Sequence, residues 1–231
     1  MTTHAFVFAR GGSQGLPRKN LLPLDGVPLL GHSIRLGQRL AEVERVFVST
    51  EDPEIAELAL KFGADVIPRP PELAGGDSPE WLAWQHAVGW VGQNHGVFDR
   101  FLSIPTTAPL RSDDDVLACL DALTPEWDVV VTMSVSARNP WFNMVVQGEH
   151  GRLRLVNEMD KTITRRQDAP MTYDLSTVAF AAWCSYIQGN ASIWNGRVRG
   201  IQLPVHRALD IDTEYEYRIA QWAMETRPPA D

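Results

Sequence analysis

The chain has 231 residues, 44% of them hydrophobic and 22% charged, a formal net charge of −8 and two cysteines. That length can bury one large core, so a single domain is the default, and the net acidity argues against a general nucleic-acid or anionic-membrane binder. With no long apolar run and no charged-then-apolar leader at the N-terminus, a cytoplasmic protein with no membrane partner is expected.

In chain order, the apolar run Ala5–Phe8 predicts a short buried strand. It leads directly into Ala9-Arg10-Gly11-Gly12-Ser13-Gln14-Gly15-Leu16-Pro17-Arg18-Lys19-Asn20. Glycines at 11, 12 and 15 allow positive φ and let the backbone approach a ligand with no Cβ in the way. Successive N–H groups in such a turn form an anion-binding nest, and Arg10, Arg18 and Lys19 add three cations nearby. The chemistry this favours is gripping a polyphosphate, although an ordinary glycine-rich β-to-α turn has the same glycines. Neither common phosphate loop fits. Gly15 is followed by Leu16 and Pro17 where the Walker pattern needs Lys, and the glycine spacing is wrong for a dinucleotide fingerprint.

An amphipathic helix is expected from about Leu29 to Leu40, then a strand over Val46–Thr50. Glu51-Asp52-Pro53-Glu54 announces a second helix, with Asp52 as cap, Pro53 in the first turn and acids at the positive end of the dipole. Ile55, Leu58, Ala59 and Phe62 give it one apolar face, and Gly63 ends it. A short strand, Asp65–Ile67, enters Pro68-Arg69-Pro70-Pro71, where Arg69 taken by itself reads equally as a surface arginine. The helix expected from about Pro79 to Val91 places Trp81, Trp84, Val88 and Val91 near one face, which favours core packing over base stacking. Strands over Phe101–Ile104 and Val129–Ser134 bracket a helix over Asp113–Leu123. Strand and helix in repeated order predict a three-layer α/β sandwich around a mostly parallel sheet, as one domain over 1–231. Cys119 and Cys184 lie in apolar stretches without metal spacing and read as reduced core residues.

From about Asn139 to Tyr173 the rhythm breaks. Phe142–Gln147 and Arg152–Val156 flank Gly148-Glu149-His150-Gly151 as a hairpin would, and a basic stretch follows from Lys161 to Asp168. A lone hairpin is marginal in water, so the apolar Trp141, Phe142, Met144, Val145 and Val146 need a partner surface. A protruding arm over 139–173 that builds a two-fold homodimer is expected, with folding back as a lid the alternative. The sheet resumes at Val178–Trp183 and Val198–Leu203, and a last helix covers Glu214–Glu225. Before it stands Asp210-Ile211-Asp212-Thr213. Alternate residues of an extended segment face one side, so Asp210 and Asp212 offer a hard-oxygen site for Mg²⁺; by spacing alone they also suit an acidic helix N-cap.

The glycine-rich loop, Val48-Ser49-Thr50-Glu51-Asp52, Arg69-Pro70-Pro71-Glu72-Leu73-Ala74, Pro109-Leu110-Arg111, Arg165-Arg166-Gln167-Asp168 and Asp210-Ile211-Asp212-Thr213 occur in this order. That series resembles the acylneuraminate (CMP-sialic acid) cytidylyltransferases over almost the whole chain. The resemblance implies a Rossmann-like nucleotidyltransferase with Mg²⁺ as cofactor. It implies transfer of CMP from CTP to the anomeric hydroxyl of a nine-carbon 2-keto-3-deoxy sugar acid, with release of pyrophosphate. Arg10, Gly11, Gly12, Ser13 and Asn20 would then hold the phosphates together with a catalytic Lys19, and Arg69 and Ser78 would bind the rest of the nucleotide. Asp210 and Asp212 would bind the metal, Asp212 also being catalytic. Thr106, Thr107 and Arg111 would meet the sugar, and Arg165 or Arg166, a choice left open, would supply a catalytic arginine across a homodimer interface.

The chain departs from the family in three places. Gln14 stands where a lysine is common. Pro105 or Thr106 stands near the place of a sugar-recognising glutamine, and Asp174-Leu175-Ser176-Thr177 replaces the Arg-Pro-Asn-Gly of a bacterial branch. The last two fall on the sugar side, so the expected acceptor is a legionaminic-, pseudaminic- or other nonulosonic-type acid rather than N-acetylneuraminate. Two further readings stay open. One is CMP transfer to an octulosonate; the other is nucleotide binding without turnover, against which the Asp210/Asp212 pair speaks.

Overall fold

In β1 (Thr3–Phe8), Ala5 and Val7 point to one side of a sheet and Phe6 to the other, and all three are fully buried. The period of two that a strand imposes on its side chains recurs in β4 (Arg45–Thr50), where Val46 and Val48 share a face with Ala5 and Val7 while Phe47 joins Phe6. One face of the sheet is thus paved with small and branched residues and the other with aromatic rings. The structure, a computed structural model, describes residues 1–13, 15–159 and 163–226, so Gln14 and Lys161 lie outside the described residues.

The seven-stranded sheet has the order β11-β7-β10-β6-β1-β4-β5. Its remaining strands are β5 (Asp65–Pro68), β6 (Arg100–Ser103), β7 (Val129–Val135), β10 (Tyr173–Trp183) and β11 (Val198–Gln202). Only β10 runs antiparallel to its neighbours among these pairings; β1 pairs parallel with β4 and β6, β4 with β5, and β7 with β11. Helices α1 (Leu29–Arg39), α2 (Pro53–Lys61) and α4 (Asp113–Asp121) bury Leu30, Ile34, Ile55, Val116 and Leu120 on the aliphatic face. Helices α3 (Glu80–Asn94) and α5 (Cys184–Gly189) bury Trp81, Trp84, Val88, Val91 and Ile187 on the aromatic face. The expected core role of the two tryptophans holds, as does the three-layer, mostly parallel α/β architecture. Asp52 caps α2 by accepting from the N–H groups of Glu54 and Ile55, as its sequence announces.

Several elements differ from the sequence expectation. A small hairpin, β2 (Pro23–Leu24) and β3 (Val27–Pro28), turns on Asp25 and Gly26, both with positive φ; its two-residue strands are too short to show a period. In the arm, β8 (Val145–Gln147) and β9 (Leu153–Leu155) are shorter than expected, because the N–H groups of Phe142, Asn143 and Met144 all turn back onto the Asn139 carbonyl. β10 begins at Tyr173, earlier than Val178, with an irregularity between Ser176 and Phe180. α6 (Glu214–Glu225) closes the described chain, packing Tyr217 and Ala220 with Leu16, Leu24 and Ile211. Among the described residues no helix is long and apolar enough to cross a membrane.

Candidate active site

Beyond the C-terminal ends of β1, β5 and β6 lies a cavity of about 570 Å³ lined by residues from the glycine-rich loop, the 69–80 segment, 105–107, Thr177, Phe180 and the acidic segment before α6. An open α/β sheet offers such a crevice where chain order reverses across it; here successive strands move outward from β1 to β5 and then return on its other side to β6. Of the residues singled out in the sequence, Arg10, Ser13, Lys19, Asn20, Arg69, Ser78, Thr106, Thr107, Asp210 and Asp212 all reach this cavity.

The loop is fixed by contacts with three parts of the fold. Asn20, almost fully buried, donates from Nδ2 to the Arg10 carbonyl at 3.0 Å and accepts from Thr106 Oγ1 at 2.6 Å, which ties the loop to the end of β6. Lys19 Nζ donates to the Ile211 carbonyl at 2.6 Å and to Asp212 Oδ1 at 3.0 Å, which joins the loop to the acidic segment. Gly15 lies so close to that segment that a Cβ there would stand 2.4 Å from the Asp212 carbonyl oxygen. Arg10 reaches the other way, to the Gly75 carbonyl at 3.2 Å.

Gly11 and Gly12 are not brought to the cavity wall. The Gly11 N–H instead donates to Glu51 Oε1 at 2.7 Å, and a Cβ there would run into the Asp52 carboxylate. Arg18 is likewise turned away: its guanidinium binds Asp52 and Glu54 at the start of α2 and holds the Asp52 carboxyl below its ordinary value. Among the described residues, the cations that face the cavity are therefore Arg10, Lys19 and Arg69.

Arg69 is buried, not a surface arginine of a proline-rich loop. Its Nε donates to Ser49 Oγ at 3.1 Å, its Nη2 to the Ser49 carbonyl at 2.7 Å, and its guanidinium carbon lies 5.6 Å from the Phe8 ring centre. Burial lowers its basicity. Across the cavity stand the acids. The N-cap of α6 is Thr213, which forms a capping box with Glu216, so neither aspartate is spent on that cap. Ile211 between them is fully buried, and its N–H binds the Thr107 carbonyl at 2.8 Å, which sends both aspartate side chains to the cavity. Asp210 Oδ1 is buried there without a hydrogen-bond partner among the described residues.

Arg111 departs from its expected place on the sugar side. It is buried beneath the wall, where Nη1 donates to the Val178 carbonyl at 3.1 Å and Nη2 to Ser33 Oγ at 2.5 Å; Ser33 in turn donates to the Pro105 carbonyl at 3.0 Å. Complete enclosure pushes its pKa down to about 9, still protonated at neutral pH. Nor do Arg165 and Arg166 line the cavity within one chain. Arg165 pairs with Asp168 at 2.8 Å, and Arg166 donates to the Ser136 carbonyl at 2.9 Å.

Phe8, Glu80 and Phe180 also line the cavity, and no motif pointed to them; Thr177, which lines it too, ends the 174–177 segment placed on the sugar side by the sequence. Phe8 continues the β1 alternation onto the aromatic face, a signal available in the sequence. Thr177 is delivered by the irregularity in β10, which buried Thr132 stabilises by accepting the Ala179 N–H at 3.1 Å; Thr107 Oγ1 then donates to Thr177 Oγ1 at 2.9 Å.

A cytidylyltransferase family model matches residues 4–79. The chain is similar to the CMP-N,N'-diacetyllegionaminic acid synthase of Campylobacter jejuni, at 25% identity over 224 residues that cover 96% of this chain and 94% of that protein. It is also similar to N-acylneuraminate cytidylyltransferase A of Danio rerio, at 28% identity over 94% of this chain and 49% of that longer protein. Among solved structures, a CMP:2-keto-3-deoxy-manno-octonic acid synthetase in complex with CTP superposes with a TM-score of 0.69 at 17% identity, covering 97% of this chain and 99% of that one. That likeness establishes a shared fold.

Proposed function

We propose that this chain, similar over most of its length to a CMP-legionaminic acid synthase and to an N-acylneuraminate cytidylyltransferase, transfers CMP from CTP to the anomeric hydroxyl of a nonulosonic acid. The observation that carries this reading is the meeting in one cavity of the loop cations Arg10 and Lys19, buried Arg69 and the acids Asp210 and Asp212. The first two suit a triphosphate, Arg69 with Phe8 suits the nucleoside, and the acids suit a divalent cation. In the reaction the anomeric oxygen attacks the α-phosphorus and forms a new P–O bond. The bond between the α-phosphorus and the bridging oxygen to the β-phosphorus breaks, pyrophosphate leaves with that electron pair, and the hydroxyl proton is released. Lys19 and Arg10 would counter the charge that grows on the departing pyrophosphate, a role in which preformed cations act with little reorganisation.

Asp210 and Asp212 fit Mg²⁺, since Asp210 presents a buried carboxylate oxygen that no group among the described residues satisfies. Among the described residues no group of three or more His, Cys, Asp or Glu is placed to hold a metal. Mg²⁺ is commonly held by one or two carboxylates with waters and substrate phosphates completing the shell. When bound it would supply Lewis-acid charge neutralisation at the phosphate.

The acceptor side is formed by Pro105, Thr106, Thr107, Thr177 and Phe180, hydroxyl and apolar groups without a cation. This wall suits an acid carrying acyl or deoxy substituents, in keeping with the legionaminic-type relative. The sugar carboxylate would then meet Arg165 or Arg166 from a partner's arm in a cytoplasmic homodimer. Incubation with CTP, Mg²⁺ and separate samples of a diacetyllegionaminic acid, N-acetylneuraminic acid and an octulosonic acid, followed by mass spectrometry, tests the reading. A CMP conjugate of the first in preference to the other two is expected; a conjugate formed only with the eight-carbon acid would move the assignment to an octulosonate enzyme.

A further inference from the structure

Glu80 opens α3 at the nucleoside end of the cavity, on the same wall as Arg69, and the reaction described above gives it no task. Its Oε1 accepts from Trp84 Nε1 at 3.1 Å. Trp84 is only 3% exposed and packs on Phe101 and Phe180, so the carboxylate is anchored to a rigid part of the aromatic core. Oε2 takes no protein hydrogen bond among the described residues. The residue is exposed to the cavity, and desolvation by the concave wall raises its pKa against the opposing pull of Trp84, Arg69 and Arg10. Arg69, for its part, has Nε and Nη2 bound to Ser49, while Nη1 has no partner among the described residues.

We propose that Glu80 is a specificity-determining residue that accepts a hydrogen bond from the exocyclic amino group of cytosine while Arg69 donates to the ring acceptors beside it. This rests on the cytidine-nucleotide reading above. The pairing edge of cytosine presents two acceptors, O2 and N3, and one donor, the 4-amino group; uracil presents O2, a donor at N3 and an acceptor at O4. A fixed guanidinium and carboxylate offer donors and then an acceptor, which complements cytosine and sets a carboxylate oxygen against uracil O4. A polar pocket rejects a ligand that leaves such groups mispaired more strongly than an apolar pocket rejects a change of size.

Titration calorimetry with CTP and with UTP in Mg²⁺, on the full chain and on Glu80→Gln and Glu80→Asp, tests this. Glutamine keeps an oxygen for Trp84, so thermal stability is unchanged, but its NH2 then takes the place of Oε2 and donates to uracil O4. The preference for CTP over UTP should fall by about tenfold or more, the scale of one good base-edge contact. Glu80→Asp keeps the charge and withdraws it by one methylene, so CTP binds more weakly while UTP stays excluded; this variant carries the test if the glutamine protein does not fold. Equal loss of CTP and UTP affinity in Glu80→Gln would assign the residue to the ribose or phosphates and overturn the proposal, as would an unchanged preference. A wild-type protein that binds CTP and UTP equally would overturn the cytidine reading itself.

Discussion

Arg111 shows how a single residue can belong to a site's support rather than to the site. Its guanidinium is enclosed, braces the Val178 carbonyl and reaches Pro105 on the cavity wall through Ser33. Arg111→Ala should cost about 2–4 kcal/mol in urea unfolding, because it opens a cavity and strands two buried polar groups. Arg111→Met fills the space and removes a charge that burial disfavours, so it should cost less and leave the KM for the sugar acid near wild type. A rise in that KM of about tenfold in the methionine protein, roughly 1.4 kcal/mol, would restore the direct contact expected from sequence. The other loop and acid residues were legible because they are local: Arg10, Lys19 and Asn20 share one turn, and Asp210 and Asp212 one extended segment. Glu80 and Phe180 were not, because each sits in an element whose pattern reads as core packing and is turned to the cavity only by the assembled sheet.

At the scale of elements, the site depends on how closely the loop after β1 approaches the segment before α6. Gly15 is the point of contact, with no room for a Cβ against the Asp212 backbone. Gly15→Ala should push that segment away, separate Lys19 from Asp212 and lower turnover by two orders of magnitude or so, on the scale of losing one electrostatic stabiliser. Far-UV circular dichroism should remain that of the wild type. Near-normal turnover would mean that the loop and the acids act independently. Alternating strands and capped helices such as β1, β4 and α2 could be read from sequence because their side-chain periods are long enough to count. The β2–β3 hairpin, α5 and the early part of β10 were not legible: two-residue strands have no period, α5 is a six-residue helix that continues directly from β10, and Tyr173–Ser176 gains strand geometry only by pairing with β7.

For the whole molecule, the arm presents an apolar surface to solvent, where Met144, Val145, Leu153 and Met171 are 41%, 53%, 60% and 71% exposed. Burial of such a face against a second copy predicts a mass by light scattering of twice the 25.8 kDa chain; a monomer at micromolar concentration would leave the arm without its proposed role. If dimers form, mixing an Asp212→Ala protein with an Arg165→Ala/Arg166→Ala protein should restore activity, since one of the two sites then keeps both its acid and its partner's arginines. Absence of recovery would put those arginines in their own chain's site.

The central claim is that CTP is split between its α- and β-phosphates by a sugar hydroxyl. Phosphorus NMR of the wild-type protein with CTP, Mg²⁺ and a nonulosonic acid observes this directly. The three CTP resonances should give way to one phosphodiester signal and one pyrophosphate signal in equal molar amounts of product, only when acid and metal are both present. Pyrophosphate or inorganic phosphate formed without a matching phosphodiester, or intact CTP with every acid tried, would contradict the account.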